Sequence, residues 1–540
     1  MSIVLVKVRQ YAIRHTSSIF LAGVVILGGV LRAIHLGTEP FWGDEALSFD
    51  IATNFSSAAA LIDYLKLVEV HPPLYYLLLQ WWTVFGEGEF IARLPSFIAG
   101  LGVVLATYGV THSFFKSRTA AIVAALITAL LPSQIEFSQE ARPYALFTLI
   151  GLITLWCYSR YRRSGNRYFL VGYGAAMLAG LYVHYSFLFF AASLAVVWLF
   201  DAAYPESSIE KRRNWFLAWF YTHVAIALGF MPWLSTVFYK LFLGEYELWG
   251  VARSIGNGVR SVSFPSVVSD QLLWLNDFTK VAPVVTFAVF FWKLVFLLCL
   301  AYTVRNLWRR GELPESRGAV LLLAVAVLSL TGFLFSPQSI SYTPKLQEHI
   351  LINSVLFAML IGYALSLMAV KLRLLCLALF IISTVPFTVQ VVGNDEVWDT
   401  HHRLRIVANF INESFQPGDV VITESAFLRT DINHYLRTDI ETHSILPIGY
   451  FGNDLGQSRQ TLGLVENESQ FRIFRPTNAA VVGQLEQVLE REQAKRVWLV
   501  FFIDPSTLTV WLEANGWRAS FLSPSSSLLP VNMYTKRTQL

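Results

Sequence analysis

Residues 143–167 read PYALFTLIGLITLWCYSRYRRSGNR. An apolar run fills 143–159, and Arg160, Arg162, Arg163 and Arg167 follow it directly. An apolar helix of about 20 residues matches the hydrocarbon thickness of a bilayer. A cluster of cations just beyond such a run marks its cytoplasmic end. This stretch therefore carries both statements on which the fold turns. The chain enters lipid here, and the end near residue 143 faces out.

Composition says the same for the whole chain. Of 540 residues, 55% are hydrophobic and only 14% charged, and the mean hydropathy is +0.50. A soluble domain carries about 25% charged residues, so a disordered chain, a coiled coil and an ordinary cytosolic enzyme are excluded. Aromatics at 15% suit a protein with two membrane interfaces. The net charge of +4 offers no field for nucleic acid, and none is expected as a partner. Cys157, Cys299 and Cys376 all lie in apolar runs. Three cysteines without close spacing give neither a disulfide framework nor a zinc site, and they read as small core hydrophobes.

Working outward, apolar runs recur near 18–36, 94–114, 119–135, 143–159, 168–183, 186–203, 215–235, 281–303, 318–336, 350–370 and 372–392. The expectation is an α-helical polytopic membrane protein with about eleven crossings, since hydrocarbon admits only helices or closed barrels. Alternate connections carry Lys7, Arg9 and Arg14; Lys116 and Arg118; the 160–167 cluster; Lys211, Arg212 and Arg213; Arg305, Arg309 and Arg310; and Lys371 and Arg373. These are placed inside. The N-terminus is then cytoplasmic, the first helix an uncleaved anchor, and the protein a multi-pass component of the plasma (inner) membrane. Loops 37–93, 136–142, 236–280 and 337–349 fall outside, with the tail from 393 onward.

Residues 73–85, PLYYLLLQWWTVF, are too short to cross and predict an interfacial helix on the outer face. The amphipathic segment 46–69 is expected beside it. The chain thus divides into a transmembrane module, 1–392, and an extracytoplasmic domain, 393–540. In that domain the β-rich runs Val420–Thr423 and Val497–Ile503 follow helical stretches near 402–414 and 480–494. That alternation predicts a small α/β domain.

Charge is scarce in this chain, so its placement is informative. Five groups lie at the predicted outer face: Trp42-Gly43-Asp44-Glu45; His71-Pro72-Pro73; Gln139-Glu140-Ala141-Arg142-Pro143-Tyr144; His184-Tyr185; and Lys345 with Glu348 and His349. Each has a plain reading. Asp44 would serve as the N-cap of a helix over 46–56, with Glu45 favouring the helix dipole. Arg142 and Lys345 would snorkel. Glu140 and Pro143 suit a helix start, and His71 and His184 suit a membrane interface. Their joint placement on one side favours a reaction site, whereas a transport path needs ionisable groups at mid-membrane. Lys293 is the one clear deep charge.

The run Leu31-Arg32 … Leu36-Gly37 … Trp42-Gly43-Asp44-Glu45 resembles the first outer loop of the polytopic GT-C glycosyltransferases. The nearest kin are the family 39, protein-mannosyltransferase-like group, which includes the bacterial transferase of aminoarabinose to lipid A. His71-Pro72-Pro73-Leu74-Tyr75-Tyr76, Ala92-Arg93-Leu94-Pro95-Ser96, Gln139–Tyr144, His184-Tyr185 and Pro417-Gly418-Asp419-Val420-Val421 match in order. The resemblance implies a GT-C fold with interfacial helices in the first outer loop. It also implies transfer of a sugar from a polyprenyl-phosphate donor to a glycan, glycolipid or protein acceptor outside the membrane.

Carried over, Asp44 is the general base and Glu45 its neighbour. Arg142, Lys345 and His349 stabilise the leaving phosphate, and His71, Glu140, Tyr144, His184 and Tyr185 line the substrate site. One base without a second nucleophilic carboxylate implies a single displacement with inversion. Many relatives have an Arg-Tyr pair where this chain reads Tyr342–His349; Lys345 meets a phosphate as a point charge, not a fork. Some GT-C enzymes hold a divalent cation at the first-loop acids and others do not. A monophosphate carrier asks less of a metal, so no metal or other cofactor is expected. The rival readings are a polytopic transporter or lipid flippase without transferase activity, and a membrane-anchored binding protein whose tail is the functional module.

Overall fold

The structure is a computed structural model, and it describes residues 2–67, 71–202, 209–238, 314–334, 351–393, 395–446, 478–500, 506–522 and 531–536. Lys293, Lys345, Glu348, His349, Cys299 and the expected crossing near 281–303 lie outside the described residues. The chain packs into two compact units. The first comprises 1–36, 70–78 and 93–393; the second comprises 37–69, 79–92 and 394–540.

The first unit is helical. It contains α1 (Ser2–Ala33), most of α5 (Glu89–Phe115), α6 (Arg118–Leu130), α7 (Pro132–Glu136), α8 (Tyr144–Ser164), α9 (Arg167–Val183), α10 (Phe187–Ala202) and α11 (Ile209–Phe238). Helices Pro314–Leu334, Leu351–Ser366 and Val370–Gly393 complete it. Among the described residues the apolar runs fall on helices, but the run expected as one crossing over 119–135 is split at Leu131 between α6 and α7, and the run 18–36 outlasts α1, which ends at Ala33. Among the described residues, Glu89–Phe115 and Ile209–Phe238 are by themselves long and apolar enough to cross a membrane; Ser17–Ala33, Arg118–Leu130, Phe187–Asp201, Gly318–Ser329 and Leu351–Ser366 are shorter apolar helices.

Helix Leu351–Ser366 is buried on every side from Leu351 to Leu365, as a helix apolar all round must be. It packs closely on α6, where Gly362 faces the Ala120 carbonyl and Ala124; a Cβ there would lie 2.6 Å from that carbonyl oxygen. Small residues at a crossing let backbones approach where lipid supplies no hydrophobic drive. Polar side chains in this core bring their own partners. Gln134 Nε2 donates to the Leu351 carbonyl (3.1 Å) and Ser354 Oγ (3.0 Å). Ser329 Oγ donates to Asn353 Oδ1 (2.9 Å). At the opposite end of α8, Arg162 grips Asp201 with Nε (2.6 Å) and Nη2 (3.1 Å), and Tyr158 Oη donates to the same carboxylate.

The second unit holds α2 (Gly43–Thr53), α3 (Ala58–Leu67), the last turn of α4 (Leu74–Trp82) and the first turn of α5 with the tail. The expected interfacial helix over 73–85 is α4 followed by a 3-10 turn at Thr83–Phe85. Pro95 lies inside α5 and lacks the N–H that the Ile91 carbonyl would accept. The Trp82 indole takes its place, Nε1 donating to Ile91 O at 2.9 Å.

In the tail, helix Asp395–Ser414 leads into β1 (Asp419–Ser425), helix Ala426–Asn433 into β2 (Thr442–Leu446), and helix Asn478–Arg491 into β3 (Arg496–Val500). Helix Ser506–Ala514, β4 (Trp517–Leu522) and β5 (Val531–Lys536) follow. The sheet order is β2-β1-β3-β5-β4. β1 is parallel to β2 and β3, and β5 is antiparallel to β3 and β4. Alternation along the strands sends Val420, Ile422, Val497 and Leu499 to one core with Leu485 and Leu512. Val421, Trp498 and Val500 go to the other, with Leu404, Ile411 and Ile432. Both faces are covered, as parallel strands require. The two strands expected from β-rich runs are β1 and β3. β2, β4 and β5 went unforeseen because THSIL, WRASFL and VNMYTK mix polar residues into short segments.

Asp419 ties this domain together. Its carboxylate takes both arms of the Arg496 guanidinium, Nε to Oδ1 at 2.6 Å, and the Trp498 Nε1–H at 3.0 Å. Its side chain is 1% exposed. Removing one partner of such a pair strands the other charge. Asp419→Ala should therefore lower stability by about 3–5 kcal/mol, read as an earlier thermal transition and faster proteolysis of the tail in the full chain.

Candidate active site

The outer-loop residues singled out in the sequence fall in two clusters, one in each unit.

In the first unit, the loop between α7 and α8 is braced from three sides. Arg32, fully buried near the end of α1, donates to Ser138 Oγ (3.2 Å) and to the carbonyls of Gly28 and Ala129 (3.0 Å each). Gly100 leaves room for this contact, since a Cβ there would lie 2.1 Å from Ser138 Oγ. Gln139 Nε2 donates to the Ile34 carbonyl (2.7 Å). Ser96 Oγ donates to the Arg142 carbonyl (3.0 Å), and Arg93 Nη1 to the Leu36 carbonyl (3.1 Å). Arg32, Arg93, Ser96 and Gln139 had no site role in the sequence reading. Arg93 and Ser96 belong to a quoted motif, and Arg32 is a cation closing an apolar run, which was the available signal.

The braced loop presents Arg142, only 4% exposed. Its Nη2 lies 3.2 Å from His71 Nε2 and 3.4 Å from Tyr144 Oη, and its guanidinium carbon is 5.6 Å from the centre of the Tyr144 ring. A guanidinium can only donate, so His71 Nε2 accepts and His71 is neutral, with its proton on Nδ1. His71 packs on His184 with ring centres 4.8 Å apart. His184 also meets Tyr144 and Phe147. The Ser186 N–H donates to His184 Nδ1 at 3.1 Å, which leaves Nε2 to carry the proton of the neutral ring. Glu140 is buried, and its carbonyl accepts the Arg142 N–H at 2.8 Å. The Tyr185 hydroxyl accepts from Trp233 Nε1 at 2.9 Å. Thus Arg142, His71, Tyr144 and His184 form one cluster, while the Tyr185 hydroxyl engages α11.

In the second unit, α2 starts at Gly43 with Trp42 as its N-cap. The helix begins earlier than the 46–56 expected, which places Asp44 inside the first turn. The capping is done by Glu45, whose carboxylate accepts the Trp42 N–H at 3.3 Å. Glu45 is fully buried and Asp44 half-buried. The Asp44 carbonyl accepts from Ser48 Oγ at 2.7 Å. An acidic pair in a first turn is favoured by the helix dipole.

The tail contributes side chains to this neighbourhood that the sequence did not reveal. His434 lies against Phe41 (ring centres 4.8 Å apart), Phe49 (5.3 Å) and Tyr435 (4.8 Å). Burial among these rings pushes the His434 imidazole below its usual range; Glu89 and Glu87 oppose the shift, and Arg405 adds to it.

One group among the described residues has metal-ligand spacing: Glu441, His443 and Glu492, with donor atoms within 4.8 Å of one another. Arg491 sits among them, 3.2 Å from His443 Nδ1 and 2.7 Å from Glu492. It supplies the positive charge itself.

The depressed His434 pKa has a defined sign. The folded state prefers the neutral ring, so this contribution to stability is complete above the unfolded value of about 6.5. It is lost as pH falls through that value toward the folded pKa. NMR titration of labelled His434 should give a midpoint below 6.5, and His434→Leu should remove that part of the acid sensitivity.

Comparison with known proteins places the chain among known folds. Residues 70–236 match the family model described as dolichyl-phosphate-mannose-protein mannosyltransferase. No curated protein matches the sequence. In solved structures, the chain is similar to apo ArnT from Cupriavidus metallidurans: TM-score 0.60, 14% identity, covering 97% of this chain and 98% of that one. It is similar to the same protein bound to undecaprenyl phosphate: TM-score 0.59, 14% identity, covering 96% and 97%. In sequence over 70–236 and in fold over nearly its whole length, the chain resembles the GT-C glycosyltransferases of the protein-mannosyltransferase-like group, which are integral membrane proteins.

Proposed function

We propose that this protein transfers a sugar from a polyprenyl-phosphate donor to a glycan, glycolipid or protein acceptor at the outer face of the plasma membrane. In this reading the N-terminus is cytoplasmic, residues 1–392 form the membrane module and 393–540 the outer domain. The observation that carries the reading is the buried Arg142, set against a neutral His71 at 3.2 Å on a loop braced by Arg32, Ser96 and Gln139. Such a buried guanidinium suits a lipid phosphate arriving from the bilayer. A protein of the same fold binds undecaprenyl phosphate.

The acceptor hydroxyl oxygen attacks the anomeric carbon while Asp44 takes its proton. The bond from that carbon to the phosphate oxygen breaks, and its electrons leave with the carrier phosphate. Negative charge grows on the phosphate, where Arg142, Lys345 and His349 stabilise it. One displacement inverts the anomeric centre. Glu45 caps α2 and so sets the orientation of its neighbour. His71, Glu140, Tyr144, His184 and Tyr185 shape the sugar and carrier site. No metal is required for a monophosphate leaving group.

The test is a transfer assay in membranes with a panel of radiolabelled polyprenyl-phosphate sugars. Asp44→Asn should lower turnover by about 10²–10⁴-fold, the range of a lost general base, at unchanged expression. Equal activity would make Asp44 a structural residue of the first turn. Arg142→Lys keeps a charge but loses the fork, and should raise the donor KM with a smaller change in kcat. EDTA should leave transfer intact; loss of activity that Mn²⁺ or Mg²⁺ restores would assign a cation to the site.

A further inference from the structure

The backbone just before Asp44 is held by a chain of polar contacts that starts in the tail domain. The Phe41 N–H donates to Tyr435 Oη at 2.8 Å. The same hydroxyl donates to Glu89 Oε1 at 3.3 Å. Glu89 is ion-paired with Arg405, whose guanidinium carbon lies 5.2 Å from the centre of the Tyr435 ring. Arg405 Nη1 also reaches the Thr38 carbonyl at 3.4 Å. Behind the ring, Asn412 Nδ2 donates to the Tyr435 carbonyl at 2.9 Å.

The order of donors is fixed by chemistry. A backbone N–H can only donate, so the hydroxyl must accept from Phe41 and give its own proton to the carboxylate. Arg405 holds that carboxylate in place, and a hydroxyl that donates to it is a better acceptor in turn. Phe41 is 1% exposed and stacks near Phe49 of α2, their ring centres 5.3 Å apart, so residue 41 has little room to drift. Two residues, Trp42 and Gly43, separate it from Asp44. Close packing supports the contact from the other side of the loop: a Cβ at Gly37 would lie 2.8 Å from Phe90 Cβ.

The geometry points to Tyr435, backed by Glu89 and Arg405, as a positioning residue that sets where the first turn of α2 presents Asp44. The tail domain then contributes to catalysis without touching the reacting atoms. A proton-abstracting carboxylate must lie within hydrogen-bond reach of the acceptor hydroxyl, and a displacement of about 1 Å can cost 10²-fold. This inference rests on the reading of Asp44 as the base, so its test includes an arm that does not depend on activity.

The variants are Tyr435→Phe, which keeps the ring and removes the hydroxyl, Glu89→Gln, which keeps an acceptor for it, and Glu89→Ala, which does not. All are made in the full chain and examined in nanodiscs. Hydrogen exchange of the 41–46 amides should quicken in Tyr435→Phe and Glu89→Ala, by about five- to tenfold at Phe41, the factor expected for one hydrogen bond. Glu89→Gln should stay near wild type. With a lipid-phosphate sugar donor, Tyr435→Phe should lower kcat by about the same factor and leave the donor KM unchanged. The double variant Tyr435→Phe/Glu89→Ala should cost less than the two single losses combined, because both act through one contact. Unchanged exchange at Phe41 in Tyr435→Phe would overturn the inference. So would faster exchange with unchanged kcat, which would leave the contact purely structural. If the wild type transfers no sugar while exchange quickens as expected, the glycosyltransferase reading fails and the link from Tyr435 to the loop stands without a catalytic role.

Discussion

Neither hydrocarbon nor a close-packed apolar core offers a polar group a hydrogen bond, so every such group inside the first unit must bring its partner. This constraint explains where the few polar residues of the helical unit lie. Arg32 is buried where four acceptors meet its guanidinium. Gln134, Ser329 and Asn353 tie helix Leu351–Ser366 to its neighbours. Arg162 and Asp201 neutralise one another with both arms engaged. None of these groups is decoration on an apolar scaffold. Each closes a contact between helices that apolar packing alone would leave free to slide.

The same constraint builds the Arg142 cluster. A cation that is 4% exposed needs rigid surroundings, and the loop that carries it is pinned by Arg32, Gln139 and Ser96. One arm of the guanidinium meets His71 Nε2 at 3.2 Å, and the Tyr144 ring lies beside it.

The segment 37–69 is organised differently. Its helix α2 is capped by its own Glu45, its aromatic residues pack on His434, and its entry strand is held by Tyr435. All these partners belong to one compact unit in which the loop and the tail domain fold together. The tail is an α/β sheet locked at Asp419 by Arg496 and Trp498. One face of that sheet packs on helix Asp395–Ser414, which carries Arg405, and on helix Ala426–Asn433, which ends beside His434 and Tyr435.

The sequence by itself determined the helical membrane class, because a run of bilayer length can only be helical. It also placed β1 and β3, whose apolar runs are unbroken, and it named Arg142, His71, Tyr144 and His184 by their occurrence in loops of a charge-poor chain. It did not reveal that Arg142 meets His71, for these residues are 71 apart in the chain and pairing is a property of folded distance. It put the start of α2 too late, since the cap at Trp42 comes from the Glu45 side chain rather than from a residue with cap preference. Nothing in the segment Ile432-Asn433-His434-Tyr435 marks it as a support for the acidic loop. Tertiary structure decided that, because a hydroxyl becomes a positioning group only when folding brings a particular backbone N–H within 2.8 Å of it.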